Sequence, residues 1–200
     1  TATVRADLET LRRRCALFCL GGVQFVQLRD VLDLGALRAT VERSSPEVVI
    51  NAVGIVKQLP DAKNPVQSIS INALFPHLLA RECCRVGARL IQISTDCVFS
   101  GRKGGYTEAD LPDPEDLYGR TKLLGEVEGV HSLTLRTSLV GRELRGAKGL
   151  LEWFLSQRGQ VSGFRRAVFS GLTTYAFTQM IRSVIEDCPA FEGIYHVSSE

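Results

Sequence analysis

The sequence predicts an α/β protein built on a doubly wound parallel sheet. Three observations carry this. Short apolar runs alternate along the chain with longer segments of helical periodicity, an order that implies strands joined by crossover helices. The runs PEVVINAVG and ARLIQIST are nearly continuous in hydrophobicity, as strands covered on both faces are. Residues with chemistry to offer, from Asn51 to Gly54, from Ser94 to Cys97, and Thr137 with Ser138, fall just after such runs. Ligands of open parallel sheets sit there, outside the carboxyl ends of the strands.

In chain order, TATVR reads as a strand, DLETLRRRCALF as a helix, and VQFVQLRD as a strand that breaks at Asp30. Arg12, Arg13 and Arg14 fit a solvated helix face, with a phosphate-binding patch as the alternative. LGALRATVERS is helical, with Leu34, Leu37 and Val41 on one face. A strand in PEVVINAVG leads to the long helix PVQSISINALFPHLLARECCRVG. Pro76 falls inside it and predicts a kink or boundary near Phe75. ARLIQIST is the next strand, followed by a polar, glycine-containing loop from Asp96 to about Pro114. A helix with Tyr118 and Lys122, the strand HSLTLRTS, the helix GLLEWFLSQ with its apolar stripe, the strand and turn AVFSGLTT, the helix YAFTQMIRSVIED and the strand GIYHVSS complete the series. No repeat or low-complexity linker divides the chain.

At 200 residues the chain can bury one core, and 44% hydrophobic with 23% charged residues is ordinary for a globular domain. A net charge of +2 is too small to argue for nucleic acid or an anionic membrane. No apolar run approaches a membrane span, and no signal peptide is visible. Cys15, Cys19, Cys83, Cys84, Cys97 and Cys188 form no CxxC pair, and His77, His131 and His196 have no metal spacing. Scattered buried thiols in a reducing cytoplasm and no metal site are expected.

Tyr118 and Lys122 share a helix face, being four residues apart. A phenol titrates at about 10, and a nearby ammonium favours the phenolate. Such a pair can act as a general acid/base beside a carbonyl. The spacing alone arises by chance in about one such chain in ten, leaving a Tyr at a helix N-terminus and a solvated Lys as the alternative. Ser94 and Thr95 can present hydroxyls to polarise a carbonyl, or serve as turn and cap residues.

The series STDCVFSG, GGYTEAD and YGRTKLLGE resembles the extended short-chain dehydrogenase/reductases, and within them the dTDP-4-dehydrorhamnose reductase group, whose pattern is STDYVFDG, Y-x-E and YGxSKxxGE. The resemblance runs from about Val48 to Thr174. It implies a Rossmann-like fold over residues 1–200, with 141–173 contributing to a small substrate-binding part. It implies an NAD(P)H-dependent reductase of a keto-sugar nucleotide in cytoplasmic polysaccharide precursor synthesis. Thr95 would then bind the sugar ketone, Tyr118 protonate the alkoxide, and Lys122 hold the nicotinamide ribose. Asn51, Ala52 and Gly54 match the family's loop beside the cofactor, where Ser94 and Thr137 also belong. Asn72 matches a bracing asparagine, with a hydrogen-bonded core residue as the alternative.

Asp96 and Ser138 fall to the substrate side. FSGLTT matches the family's DQxGxPT loop at Gly171 and Thr173 but lacks Asp-Gln and Pro, which leaves the sugar open. Cys97 replaces a Tyr and is either a packing residue or a reactive thiol. Arg5, after what is taken as the second strand of the fold, suits the 2′-phosphate of NADP(H); Asp7 nearby keeps NAD(H) as the alternative. Rival readings are an epimerase or dehydratase that recycles its hydride, and a non-catalytic regulatory subunit such as that of methionine adenosyltransferase. Analogy with reductases of this fold raises a homodimer.

A dinucleotide-binding domain opens with a strand and a Gly-rich turn. Gly21-Gly22 lacks that spacing and precedes the wrong element. The chain is therefore expected to lack its first strand and turn and to be truncated at both ends. In the order 3-2-1-4-5-6 that leaves a gap beside the fourth strand. Residues 1–200 alone are then expected to bind NADP(H) poorly and to fold marginally.

Overall fold

The computed structural model describes residues 1–5, 22–143 and 149–199. The expected helix DLETLRRRCALF, with Asp7, Cys15 and Cys19, lies outside the described residues, as does Gly21.

β1 (Ala2–Val4) and β2 (Phe25–Gln27) form a parallel pair. A second parallel sheet has the order β3-β4-β5-β8, built from β3 (Val48–Asn51), β4 (Arg89–Thr95), β5 (Ser132–Thr137) and β8 (Gly193–Val197). Between β5 and β8, β6 (Leu139–Val140) pairs with β7 (Leu172–Thr173). This small ladder ties the residues after β5 to the FSGLTT loop. No ladder joins β1 to β3 among the described residues. Among the described residues the β1-β2 pair and the β3-β4-β5-β8 sheet are separate ladders.

Of the helices, α1 (Leu34–Ser44) starts where Asp33 accepts the Ala36 N–H at 3.0 Å. Leu37 and Val41 face inward as expected, but Leu34, in the first turn, is exposed. Thr40 takes an inward position instead. Its hydroxyl can be buried because it donates to the Ala36 carbonyl at 2.7 Å. The long helix is three pieces: α2 (Pro65–Ser68), a π-helical segment (Ile69–Leu74) and α3 (Phe75–Val86). Pro76 has no N–H for the Asn72 carbonyl and its ring crowds that oxygen. The wider π turn relieves the clash, and the change of geometry falls at Phe75. α4 (Leu117–Leu124), α5 (Leu150–Ser156) and α6 (Thr174–Glu186) follow. The apolar stripe expected on α5 is not buried among the described residues; Leu150, Trp153, Phe154 and Leu155 are all exposed.

Adjacent residues of β4 serve opposite faces. Leu90 packs with Leu28, Leu37, Val41, Phe75 and Leu79 on one side. Ile91 packs with Leu133, Leu135, Phe177 and Ile181 on the other. Both are almost fully buried, as a two-sided parallel strand requires. Of the four described cysteines, Cys83 is buried, Cys84 exposed and Cys97 and Cys188 half-buried, so only one matches the expected buried thiol. No described helix is long and apolar enough to cross a membrane.

Candidate active site

A cleft of about 580 Å³ opens at the carboxyl ends of β3, β4 and β5. It gathers Ala52, Gly54, Ser94, Thr95, Tyr118, Lys122, Thr137 and Ser138, eight of the residues singled out from the sequence. Cys97 and Lys57 join them. The other candidates sit around this group. Asn51 is buried behind it, where its amide donates to Gln92 Oε1 at 2.7 Å and its carbonyl oxygen accepts the Val53 N–H at 3.1 Å. Asp96 is exposed and accepts from Thr95 Oγ1 at 3.2 Å. Gly171 packs on the Ser138 carbonyl, and Thr173 caps α6 by accepting the Ala176 N–H at 3.1 Å. Arg5 is exposed just past β1 and does not line the cleft.

Every special residue of the stretch Tyr118 to Glu126 meets a particular partner. Asp116 starts α4 by accepting the Gly119 N–H at 2.8 Å, and Lys57 pairs with the same carboxylate at 2.6 Å. Gly119 lies against the Cys97 carbonyl, where a Cβ would come within 2.3 Å. Thr121, fully buried, donates to the Leu117 carbonyl at 2.8 Å. Lys122 Nζ donates to the Ile93 carbonyl at 2.6 Å. At Gly125 a Cβ would stand 1.8 Å from the Asn72 carbonyl oxygen, the one freed by Pro76. His77 closes the helix, its Nε2 lying 2.8 Å from the Leu124 carbonyl. Glu126 accepts from Ser94 Oγ at 2.7 Å and from Arg136 Nε at 2.8 Å and Nη2 at 2.7 Å.

Asn72 joins two walls of the cleft. Its side chain accepts the Ile55 N–H at 2.8 Å, donates to the Ile55 carbonyl at 3.0 Å and reaches Thr121 Oγ1 at 3.4 Å. The loop after β3 is thereby fixed to the helix that carries Lys122. A π-helical segment at such a position is a recurrent feature of functional sites. Thr95 fills the cap role considered for it and also lines the cleft. It caps the short 3₁₀ turn Asp96–Val98, accepting the Cys97 N–H at 3.2 Å, and it lies in the same cleft as Tyr118.

The electrostatics differ from the expected lowering of the phenol by Lys122. Burial pushes Tyr118 up to about 12; the Thr95 hydrogen bond opposes this, and the charges of Asp96 and Asp116 add to it. Burial also pushes Lys122 down to about 8, against the opposing charge of Glu126. Desolvation outweighs the pairing that helix spacing suggested. Lys122 is 7% exposed, and a shift from 10.5 to about 8 corresponds to about 3 kcal/mol of cost for keeping it charged.

The pH dependence of stability follows. Between about pH 8 and 10.5 the folded state holds fewer protons at Lys122 than the unfolded chain, so stability rises with pH. Between about pH 10 and 12 Tyr118 holds its proton only when folded, so stability falls. Melting temperatures of the protein minus those of Lys122→Met should climb from pH 8 to 10. A flat difference would mean that Lys122 titrates normally.

The family model described as RmlD substrate binding domain matches residues 22–200. The chain belongs to this family. A dTDP-4-dehydrorhamnose reductase of Mycobacterium tuberculosis is 38% identical over 102 residues, 48% of this chain and 33% of that protein. Methionine adenosyltransferase 2 subunit beta of Xenopus tropicalis is 35% identical over 105 residues, 52% of this chain and 31% of that protein. The chain thus spans about a third of the length of these relatives. A dTDP-4-dehydrorhamnose reductase of Bacillus anthracis, solved in complex with NADP, superposes with a TM-score of 0.77 at 23% identity, over 94% of this chain and 70% of that one. This likeness shows the fold, a Rossmann-like parallel sheet flanked by helices.

Sequence reading had not assigned roles to Lys57, Gly119, Thr121, Gly125 or Glu126. Four of these stand inside the quoted motif, and each meets a residue of another element: Gly119 the Cys97 carbonyl, Thr121 and Gly125 Asn72, and Glu126 Ser94 and Arg136.

Proposed function

We infer that the protein is an NAD(P)H-dependent reductase of a keto-sugar nucleotide, an oxidoreductase of the extended short-chain dehydrogenase/reductase type, acting in cytoplasmic polysaccharide precursor synthesis. The observation that carries this is the convergence of Thr95, Tyr118 and Lys122 on one cleft, with the phenol held protonated at neutral pH. A reduction needs a proton donor for the alkoxide it generates, and a phenol at about 12 arrives charged with its proton. Likeness to the mycobacterial reductase supports the same reading.

The residues present fit the nicotinamide end of the cofactor. Lys122 Nζ has three donors and spends one on Ile93, which leaves donors for ribose hydroxyls. Thr137 and the Ala52–Gly54 backbone line the same cleft. When bound, the nicotinamide supplies hydride. Thr95 hydrogen-bonds the substrate carbonyl and orients it toward Tyr118, and Tyr118 delivers its phenolic proton to the oxygen. Asp96, Ser138, Gly171 and Thr173 serve the sugar side. Asn51 and Ser94 brace the cofactor side, and Arg5 would receive a 2′-phosphate, so NADP(H) is favoured over NAD(H). Val66, Ile69, Leu74 and Leu124 are exposed apolar residues on neighbouring helices and suit a homodimer face.

The test is net oxidation of added NADPH by the full-length protein with 4-keto-sugar nucleotides. Product isomerisation without net oxidation would instead mark an epimerase. Likeness to methionine adenosyltransferase 2 subunit beta favours one second reading, a cofactor-binding subunit without turnover. Stoichiometric capture of a partner enzyme, with no oxidation of either nicotinamide, would establish that reading.

A further inference from the structure

A sugar nucleotide carries an anionic diphosphate, and the cleft itself has few cations to meet it. Among the described residues that line it, the cations are Lys57 and Lys122. Lys122 is buried and bonded to the Ile93 carbonyl, and Lys57 is already paired with Asp116. Glu143 on the same wall adds negative charge.

The stretch from 157 to 170, QRGQVSGFRRAVFS, has the opposite balance. It holds Arg158, Arg165 and Arg166 and no acidic residue. All three are exposed, and none has an ion pair or side-chain hydrogen bond among the described residues. Arg142 and Arg182, on either side of the stretch, are paired with Glu152 and Glu186. Phe164, next to Arg165, is 91% exposed, so its ring contributes almost nothing to a core.

The chain path brings this stretch to the cleft. It leaves the end of α5, whose first residue, Leu150, lines the cleft, and it returns through Phe169, which lines it too. Phe169 fits there because Gly171 has no side chain. A Cβ on Gly171 would stand 2.3 Å from the Phe169 ring and 2.4 Å from the Ser138 carbonyl oxygen. Ser170 fixes the return, its carbonyl accepting the Ser199 N–H at 2.7 Å. Arg166 is three residues before Phe169, at most about 11 Å of chain. Outward from the cleft the order is Phe169, then Arg166 with Arg165, then Phe164.

We propose that Arg165, Arg166 and Phe164 form a nucleoside diphosphate subsite beside this cleft, the two guanidiniums binding the diphosphate and the Phe164 ring stacking on the base. This deepens the reductase reading and rests on it for the sugar at Tyr118. The order of groups along the ligand, sugar, diphosphate and base, is the order in which the chain offers Phe169, the arginines and Phe164. A guanidinium donates paired N–H groups to phosphate oxygens, which suits it to this task. An aromatic face stacks on any base, so the subsite reads a diphosphate and a flat ring rather than one base. A net charge of +2 favours one small anion over a nucleic acid.

The experiment is calorimetric titration of the full-length protein with UDP and with dTDP, without nicotinamide cofactor. Arg165→Gln/Arg166→Gln should raise the Kd of the tighter of the two by about tenfold or more. Phe164→Ala should raise it by about fivefold or more and leave the Kd of inorganic pyrophosphate unchanged. These side chains are exposed and unpaired, so the variants should melt with the wild type. In turnover, KM for the sugar nucleotide should rise while kcat holds. An unchanged Kd in the double arginine variant, or no binding of either diphosphate by the wild type, would overturn the proposal. So would a single-stranded oligonucleotide that binds the wild type more tightly than both and loses its affinity in the same variants, since that marks a nucleic-acid surface. Arginine-dependent binding in a protein that oxidises no NADPH sustains the subsite and removes the reductase reading. Turnover with a KM indifferent to the arginines does the reverse.

Discussion

Tyr118→Phe should lower kcat by about 10²–10⁴-fold, the range of general acid catalysis, with melting temperature nearly unchanged. The ring keeps its place beside Thr95 and Cys97, so packing is conserved. What is lost is the oxygen that carries the proton. The pH at which it would be lost matters as well. Burial holds the phenol at about 12, so the wild-type rate should not fall through ionisation of Tyr118 anywhere near neutrality. The loss should appear equally in kcat and kcat/KM, because the proton is transferred only in the transition state. Steady-state kinetics on both proteins checks this, and an unchanged kcat would remove Tyr118 from the chemistry.

Gly125→Ala, at the C-terminal cap of α4, should give a larger loss of stability than a methyl added anywhere within that helix. The added Cβ would stand 1.8 Å from the Asn72 carbonyl oxygen and 2.9 Å from its carbon. Both are backbone atoms of the π segment, so neither can rotate away. Overpacking in a fitted core costs about 1–3 kcal/mol, and this site should reach or exceed the upper figure. Function should suffer too, since moving the π segment moves Asn72, which holds Ile55 at the cleft wall. Gly35→Ala is the contrasting case. A Cβ there meets only Asp33 Oδ1 at 3.4 Å, in the first turn of α1, and should be neutral or stabilising. Thermal denaturation of the two variants side by side makes the comparison. Equal melting temperatures would contradict the close approach of α4 to the π segment.

How much of this could be read beforehand depends on the range of the interactions. The alternation of strands and helices was legible because apolar period is a local property, and the parallel pairing of β3, β4, β5 and β8 agrees with it. Tyr118 and Lys122 were legible because positions four apart on a helix share a face whatever surrounds them. The positions of Gly119 and Gly125 meant nothing without the carbonyls of Cys97 and Asn72, which lie far away in sequence. Pro76 announced a disturbance near Phe75, but the π turn that absorbs it, and the carbonyl it frees for Gly125, belong to the packed structure. The sign of the Tyr118 shift was misjudged for the same reason. Helix spacing placed an ammonium nearby, while burial, which spacing does not report, decided the balance. The apolar stripe of α5 is exposed among the described residues, since periodicity shows an amphipathic helix without showing what covers it.

The central claim is that Tyr118 gives a proton to a reduced keto-sugar nucleotide. Its most direct test is oxidation of added NADPH by the full-length protein in the presence of a 4-keto-sugar nucleotide, with product formation followed in the same sample. The account predicts one reduced sugar formed per NADPH consumed, and near-complete loss of both in Tyr118→Phe. Equal NADPH consumption by the wild type and Tyr118→Phe, or none by a folded wild type that binds the cofactor, would contradict it.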